Sequence, residues 1–138
     1  MSFQSKNIFI NLPVKNLNKS TSFFQKLGFE FNQQFSDETT ASMIISENIF
    51  ALLMVEDRFK GFTNKKITDT TVSAEAILCL SADNREQVDQ LVNKALVSGG
   101  KPYSDPQDHG FMYGWGFQDL DGHIWEVVYM DEHAMNQE

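Results

Sequence analysis

The chain holds a single cysteine, Cys79, among 138 residues, which rules out an internal disulfide and any metal centre built on several thiolates. Basic residues are also scarce: 11 Lys and Arg stand against 19 Asp and Glu, for a net charge of −8. Nucleic-acid binding needs clustered cations to neutralise phosphates, and the short run NKK at 64–66 is too small to supply them. No nucleic-acid partner is expected. Nor is a membrane partner, because no apolar run approaches the ~20 residues of a bilayer span. The opening MSFQSKNIFINLP lacks a basic segment followed by a long apolar one, so no secretory signal is read there and a cytoplasmic protein is expected. A nucleophile elbow, a glycine-rich phosphate loop and a Cys/His pair are missing too, which disfavours covalent catalysis. A small-molecule or protein partner is favoured.

What is present is ordinary for a globular protein, with 41% hydrophobic and 22% charged residues, and the length suits one domain over 1–138. Residues 7–12, NIFINL, alternate Ile8, Ile10 and Leu12 against Asn7, Phe9 and Asn11, the period of a strand. NLNKSTSFFQKLGF follows as a short amphipathic helix, with an Asn cap, Phe23 and Leu27 four apart, and Gly28 past its end. EFNQQFS, ASMIIS and NIFALLMV then read as three strands, the last two joined by a polar turn at Ser46-Glu47-Asn48.

The pattern restarts at EAILCLS, 75–81, a strand, followed by DNREQVDQLVNKALVSGG, a helix with Val88, Leu91, Val92 and Ala95 on one stripe. Strands are expected near Lys101–Tyr103, in GFMYGWGF and in HIWEVVYM, with DLDG at 119–122 as the last hairpin turn. Two βαβββ units of an α+β protein result, spanning 5–55 and 75–131, with a polar linker at 56–74 and a tail at 132–138. Phe59 and Phe62 of the linker are candidates for a lid over a site. The repeat lies in the order of elements rather than in identity.

Glu126 stands in the middle of an apolar strand, where an unpaired buried carboxylate would be very costly. It is therefore solvated, paired or aimed at a ligand. Overlaying the two final strands from their first residues sets Ala51 against Glu126, and on the first strands Phe9 is set against Glu75 because each stands on the face away from its strand's apolar set. With helices covering the apolar faces, Phe9, Ala51, Glu75 and Glu126 are expected on the open faces. Asn7 and Asn11 join Phe9 as amides able to orient a polar ligand. In DPQDHGFMYGWGF the aromatics Phe111, Tyr113, Trp115 and Phe117 alternate with Met112, Gly114, Gly116 and Gln118, so Tyr113 and Trp115 serve either as core or as a wall for a planar ligand. His109, just before this strand, is a candidate base or hydrogen-bond donor. His123 reads as a turn residue, and His133 falls in the tail.

Paired βαβββ units, NLPVKNLNKSTSFFQKLGF opening the first and FQDLDGHIWEVV closing the second, resemble the vicinal oxygen chelate superfamily of glyoxalase I, bleomycin-resistance proteins and extradiol dioxygenases. The likeness covers essentially the whole chain and is greatest to small bacterial glyoxalase-like members. It implies a glyoxalase/bleomycin-resistance-like fold whose curved mixed sheets enclose a cavity, and commonly a homodimer. In metal-dependent members the ligands come from the first and last strand of each unit. Those places here are Phe9, Ala51, Glu75 and Glu126, of which only Glu75 and Glu126 carry donors, so no metal or other cofactor is expected. The resemblance thus implies a protein that binds a small organic ligand in its cavity without a metal. The alternative is a lyase or isomerase in which Glu75 and Glu126 help to hold one divalent ion that stabilises an enediolate. Whether the chain catalyses a reaction is left open; if it does, Glu126 is the general base the resemblance implies.

Overall fold

The computed structural model describes residues 2–131 and His133. The rest of the tail at 132–138 lies outside the described residues. The chain divides into two compact units, Met1–Ile67 and Thr68–Glu138, each a mixed sheet with a helix on one face.

In the first unit, strand β1 (Ile8–Val14) leads into helix α1 (Leu17–Leu27), followed by β2 (Glu30–Asn32), β3 (Thr40–Ser46) and β4 (Ile49–Val55). The sheet order is β1-β4-β3-β2, with β1 parallel to β4 and the other pairs antiparallel. The helix begins where Asn16 accepts the Lys19 N–H at 3.0 Å, and it ends at Gly28, whose φ of 109° is the left-handed conformation glycine adopts freely. Phe23, Phe24 and Leu27 are buried on its inner side with Ala41, Met43, Ala51, Leu53, Leu12 and Val14 of the sheet. Each fully buried Phe or aliphatic side chain contributes roughly 1.5–3 kcal/mol.

Two expected features differ. EFNQQFS is a strand only over its first half, and Gln33–Phe35 form a 3-10 turn. Asn32 accepts the Gln34 N–H at 3.0 Å, while Ser36 Oγ donates to the Asn32 carbonyl and accepts from the Ser42 N–H. Local side-chain hydrogen bonds have replaced the ladder. The expected linker at 56–74 starts with ordered structure, helix α2 (Glu56–Phe59) and a 3-10 turn at Lys60–Phe62, where the Arg58 guanidinium lies 5.8 Å from the Phe62 ring centroid.

The second unit runs β5 (Ile77–Ser81), α3 (Arg85–Val97), β6 (Lys101–Pro102), β7 (Gln107–Asp108), β8 (Met112–Gln118) and β9 (Ile124–Met130). Its order is β5-β9-β8-β6, with β7 also pairing β8 and with β5 parallel to β9. Asn84 caps α3 by accepting the Gln87 N–H at 2.8 Å, and the Gln87 side chain returns to the Asp83 N–H at 2.7 Å. Val88, Val92 and Ala95 of α3 are buried with Phe117, Trp125 and Val127. Among the described residues no helix is long and apolar enough to cross a membrane.

Below β8 and β9 the turn at 119–122 is more than a hairpin connection. Asp119 is buried, and its carboxylate accepts the N–H groups of Asp121 and His123 and the Trp125 indole N–H at 2.9, 3.0 and 3.0 Å. The turn closes at Gly122, with φ of 89°, and Thr70 Oγ1 donates to the Asp121 carbonyl.

Candidate functional site

Strand register decides which side chains can act together, because neighbours along a strand point to opposite faces. Trp125 pairs with Leu78 and Phe117, and Val127 pairs with Leu80 and Trp115. Trp125 and Val127 are buried toward α3. Glu126, between them, projects from the opposite face, where its parallel neighbour is Cys79 and its antiparallel neighbour is Gly116.

Gly116 makes this face a cradle. A Cβ at that position would sit 2.7 Å from the Trp125 carbonyl, 3.2 Å from Cδ2 of Tyr103 and 3.3 Å from Cγ of Glu126. Glycine is thus required for β6, β8 and β9 to bring the Tyr103 ring and the Glu126 side chain to the two sides of one bare patch of backbone. Gln118 continues the face and donates through its side-chain amide to the Pro102 carbonyl at 3.0 Å. The Glu126 carboxylate is half-buried and has no hydrogen bond or ion pair among the described residues.

Cys79 is open to solvent as a residue. Partial burial of its thiol, and next the Glu126 carboxylate, push its pKa above the usual 9.0. The sulfur of the free chain therefore stays a neutral thiol at pH 7 rather than a nucleophilic thiolate.

Other candidates fall elsewhere. Tyr113 and Trp115 share the face that α3 covers: Tyr113 donates to Asp89 of α3 at 2.6 Å, and Trp115 donates to the Ser104 carbonyl at 2.9 Å. Alternation in β8 places both on the other side of the sheet from Glu126. His109 is exposed in the turn before β8. Gly116 pairs Glu126 and Met112 begins β8, so four residues of strand already separate His109 from Glu126 by about 13 Å. In the first unit the face away from α1 carries Phe9, Asn11, Phe50 and Leu52, with the Phe9 and Phe50 rings stacked at 5.4 Å. Asn7 precedes β1 and is exposed.

A model of the Glyoxalase/Bleomycin resistance protein/Dioxygenase superfamily matches residues 8–127. The chain belongs to that superfamily. Among solved structures, a hypothetical protein from S. aureus is 29% identical with a TM-score of 0.77, over 92% of this chain and 95% of its own. A glyoxalase-related enzyme from Fulvimarina pelagi is 16% identical with a TM-score of 0.77, over 92% and 88% of the two chains. A genomically encoded fosfomycin resistance protein from Listeria monocytogenes is 22% identical with a TM-score of 0.64, over 92% of each chain. No curated protein matches the sequence.

Two of the four places assigned from the superfamily resemblance need correction. Aligning the helix caps Asn16 and Asn84 makes Ile10 the counterpart of Leu78 and Asn11 the counterpart of Cys79. Ile10 pairs with Ala51 and Leu78 with Trp125, whereas Asn11 pairs with Leu52 and Cys79 with Glu126. Ala51 is therefore equivalent to Trp125, both 0% exposed under their helices, and Leu52 is the counterpart of Glu126. Overlaying the final strands from their first residues slips the register by one, which exchanges the two faces. On the first strands the same alignment makes Phe9 the counterpart of Ile77, two residues beyond Glu75. Glu75 lies before β5, exposed, and four residues from Cys79, the actual neighbour of Glu126.

These residues do not fit a divalent metal. Within either unit, among the described residues, no three of His, Cys, Asp and Glu converge, and the strand neighbours of Glu126 are Cys79, a single further donor, and Gly116, which carries none.

Proposed function

We propose that this superfamily member binds a small organic ligand at the open face of its second βαβββ unit, recognised by Glu126 and held without a resident metal ion. The supporting observation is a half-buried carboxylate, beside a ring and over a glycine cradle, with no partner of its own among the described residues. Withdrawing a carboxylate from water without hydrogen bonds is costly, and a ligand that donates to it offsets that cost. The superfamily takes part of its name from bleomycin resistance, and the similar Listeria protein is a fosfomycin resistance protein. A small organic molecule is the ligand class consistent with both names. A homodimer belongs to the same reading, since each sheet ends in edge strands that a second copy can cover.

Elemental analysis of protein purified without chelators tests the metal half of this reading, with far less than one equivalent of zinc, nickel or iron expected. Near one equivalent, lost on Glu126→Gln, would overturn it in favour of a metal-dependent lyase or isomerase. Ligand-observed NMR with a panel of small aromatic compounds tests the binding half. Hits that disappear in Glu126→Gln are expected, and hits that bind both proteins alike would refute the site.

A further inference from the structure

The open face of the second unit also constrains the charge of its ligand. The groups that flank Gly116 are an aromatic ring, Tyr103, and an anion, Glu126. Continuing the β6–β8 pairing, in which Lys101 faces Gln118 and Pro102 faces Phe117, sets Tyr103 across from Gly116, so the ring lies on the same face as Glu126. A ring face carries negative quadrupole density and attracts cations. A carboxylate does so by charge. Lys101 is the basic residue that register places on this face, and it makes no ion pair with Glu126 among the described residues. Cys79, the remaining neighbour, is a neutral thiol at pH 7 and neither competes for a cation nor repels one. The chain's net charge of −8 further raises the local concentration of cations.

We infer that this face takes an organic cation, an ammonium, amidinium or guanidinium group, held between the Tyr103 ring and the Glu126 carboxylate above Gly116. This rests on the binding reading above and goes beyond it by fixing the ligand's charge. It also gives Glu126 a role that needs no metal: the carboxylate pairs with the ligand's own positive charge. Tyr103 sets specificity, because a flat cation can lie against its ring while donating N–H bonds to the carboxylate.

Three probes of nearly equal shape separate the possibilities: benzamidine, cationic at pH 7, neutral benzamide and anionic benzoate. Titration of the full chain, followed by amide NMR shifts, is expected to give benzamidine at least tenfold tighter binding than benzamide, no binding of benzoate, and shifts centred on Tyr103, Gly116 and Glu126. Glu126→Gln should abolish the preference. Tyr103→Leu should weaken benzamidine by about two- to fivefold, the factor set by a surface cation–π contact, whereas Tyr103→Phe should retain it. Glu47→Gln, an equal charge change in the β3–β4 turn, should leave binding unchanged, and unaltered melting of each variant checks its fold. Benzamide or benzoate binding at these residues as tightly as benzamidine would overturn the cation inference and leave the site standing. Benzamidine shifts confined to other residues, or no binding of any probe, would overturn the site itself.

Discussion

Replacing Asp119 with Ala is expected to be among the most damaging single changes outside the apolar core. The carboxylate is buried and accepts three N–H groups, two from the backbone of the 119–123 turn and one from the Trp125 indole. Trp125 is 0% exposed and His123 is 5% exposed, so water cannot readily replace the lost acceptor for either. A stranded buried donor costs ~1–3 kcal/mol. Half-buried Asp121 can rehydrate at little cost. Two stranded donors, less the desolvation that Asp119 no longer suffers, give a net loss of about 2–4 kcal/mol, a large share of the roughly 5–15 kcal/mol that holds a domain folded. At roughly 3–4 °C per kcal/mol for a chain of this size, melting should fall by about 6–15 °C.

Asp119→Asn keeps one acceptor oxygen for the two backbone groups but turns an N–H₂ toward the indole, so about 1–2 kcal/mol should be lost. Urea unfolding followed by tryptophan fluorescence measures both variants. An Ala variant within about 0.5 kcal/mol of the parent would refute the reasoning, since it would mean that the buried donors carry no desolvation cost. The pH dependence supplies a second check. Burial, the largest cause, raises the Asp119 pKa above 3.8. The folded chain therefore binds this proton at a higher pH than the unfolded chain does, and the group's contribution to stability declines as pH rises through that window. The parent's advantage over Asp119→Asn should shrink as pH is raised above 3.8 through the folded-state titration of this carboxyl.

Gly122→Ala should destabilise by about 2 kcal/mol or more, read in the same unfolding assay, because φ is 89° and the new Cβ would lie 2.5 Å from the Thr70 carbonyl; a neutral result would show that the turn relaxes. Tyr113, raised to about 12 chiefly by donating to the Asp89 carboxylate, should titrate there by phenolate absorbance, and Asp89→Asn should bring it back toward 10.0. Its bond to α3 should contribute fully below pH 10.0 and be lost as pH rises through about 12. Sedimentation at micromolar concentration should show a dimer, and a stable monomer there would remove the edge-strand argument.

The local pattern of the sequence determined the elements. Asn16 and Asn84 precede amphipathic stripes, Gly28 follows one, and strands with a period of two recur in the same order. Those signals act over a few residues, so helix α1, helix α3 and strands β1, β3, β4, β8 and β9 were all legible, as was the superfamily resemblance. Alternation also determined that Glu126 lies on the other face from Trp125 and Val127. What the sequence could not supply was register. Whether Ala51 or Leu52 corresponds to Glu126, and whether Glu75 or Cys79 stands beside it, depends on which backbone hydrogen bonds form across strands far apart in the chain, and a slip of one residue exchanges the faces. The same pairing brings Tyr103 across from Gly116 and gathers three donors around Asp119. No local periodicity marks these residues, because their partners are chosen by the close approach of β6, β8 and β9 and by the exclusion of water beneath them.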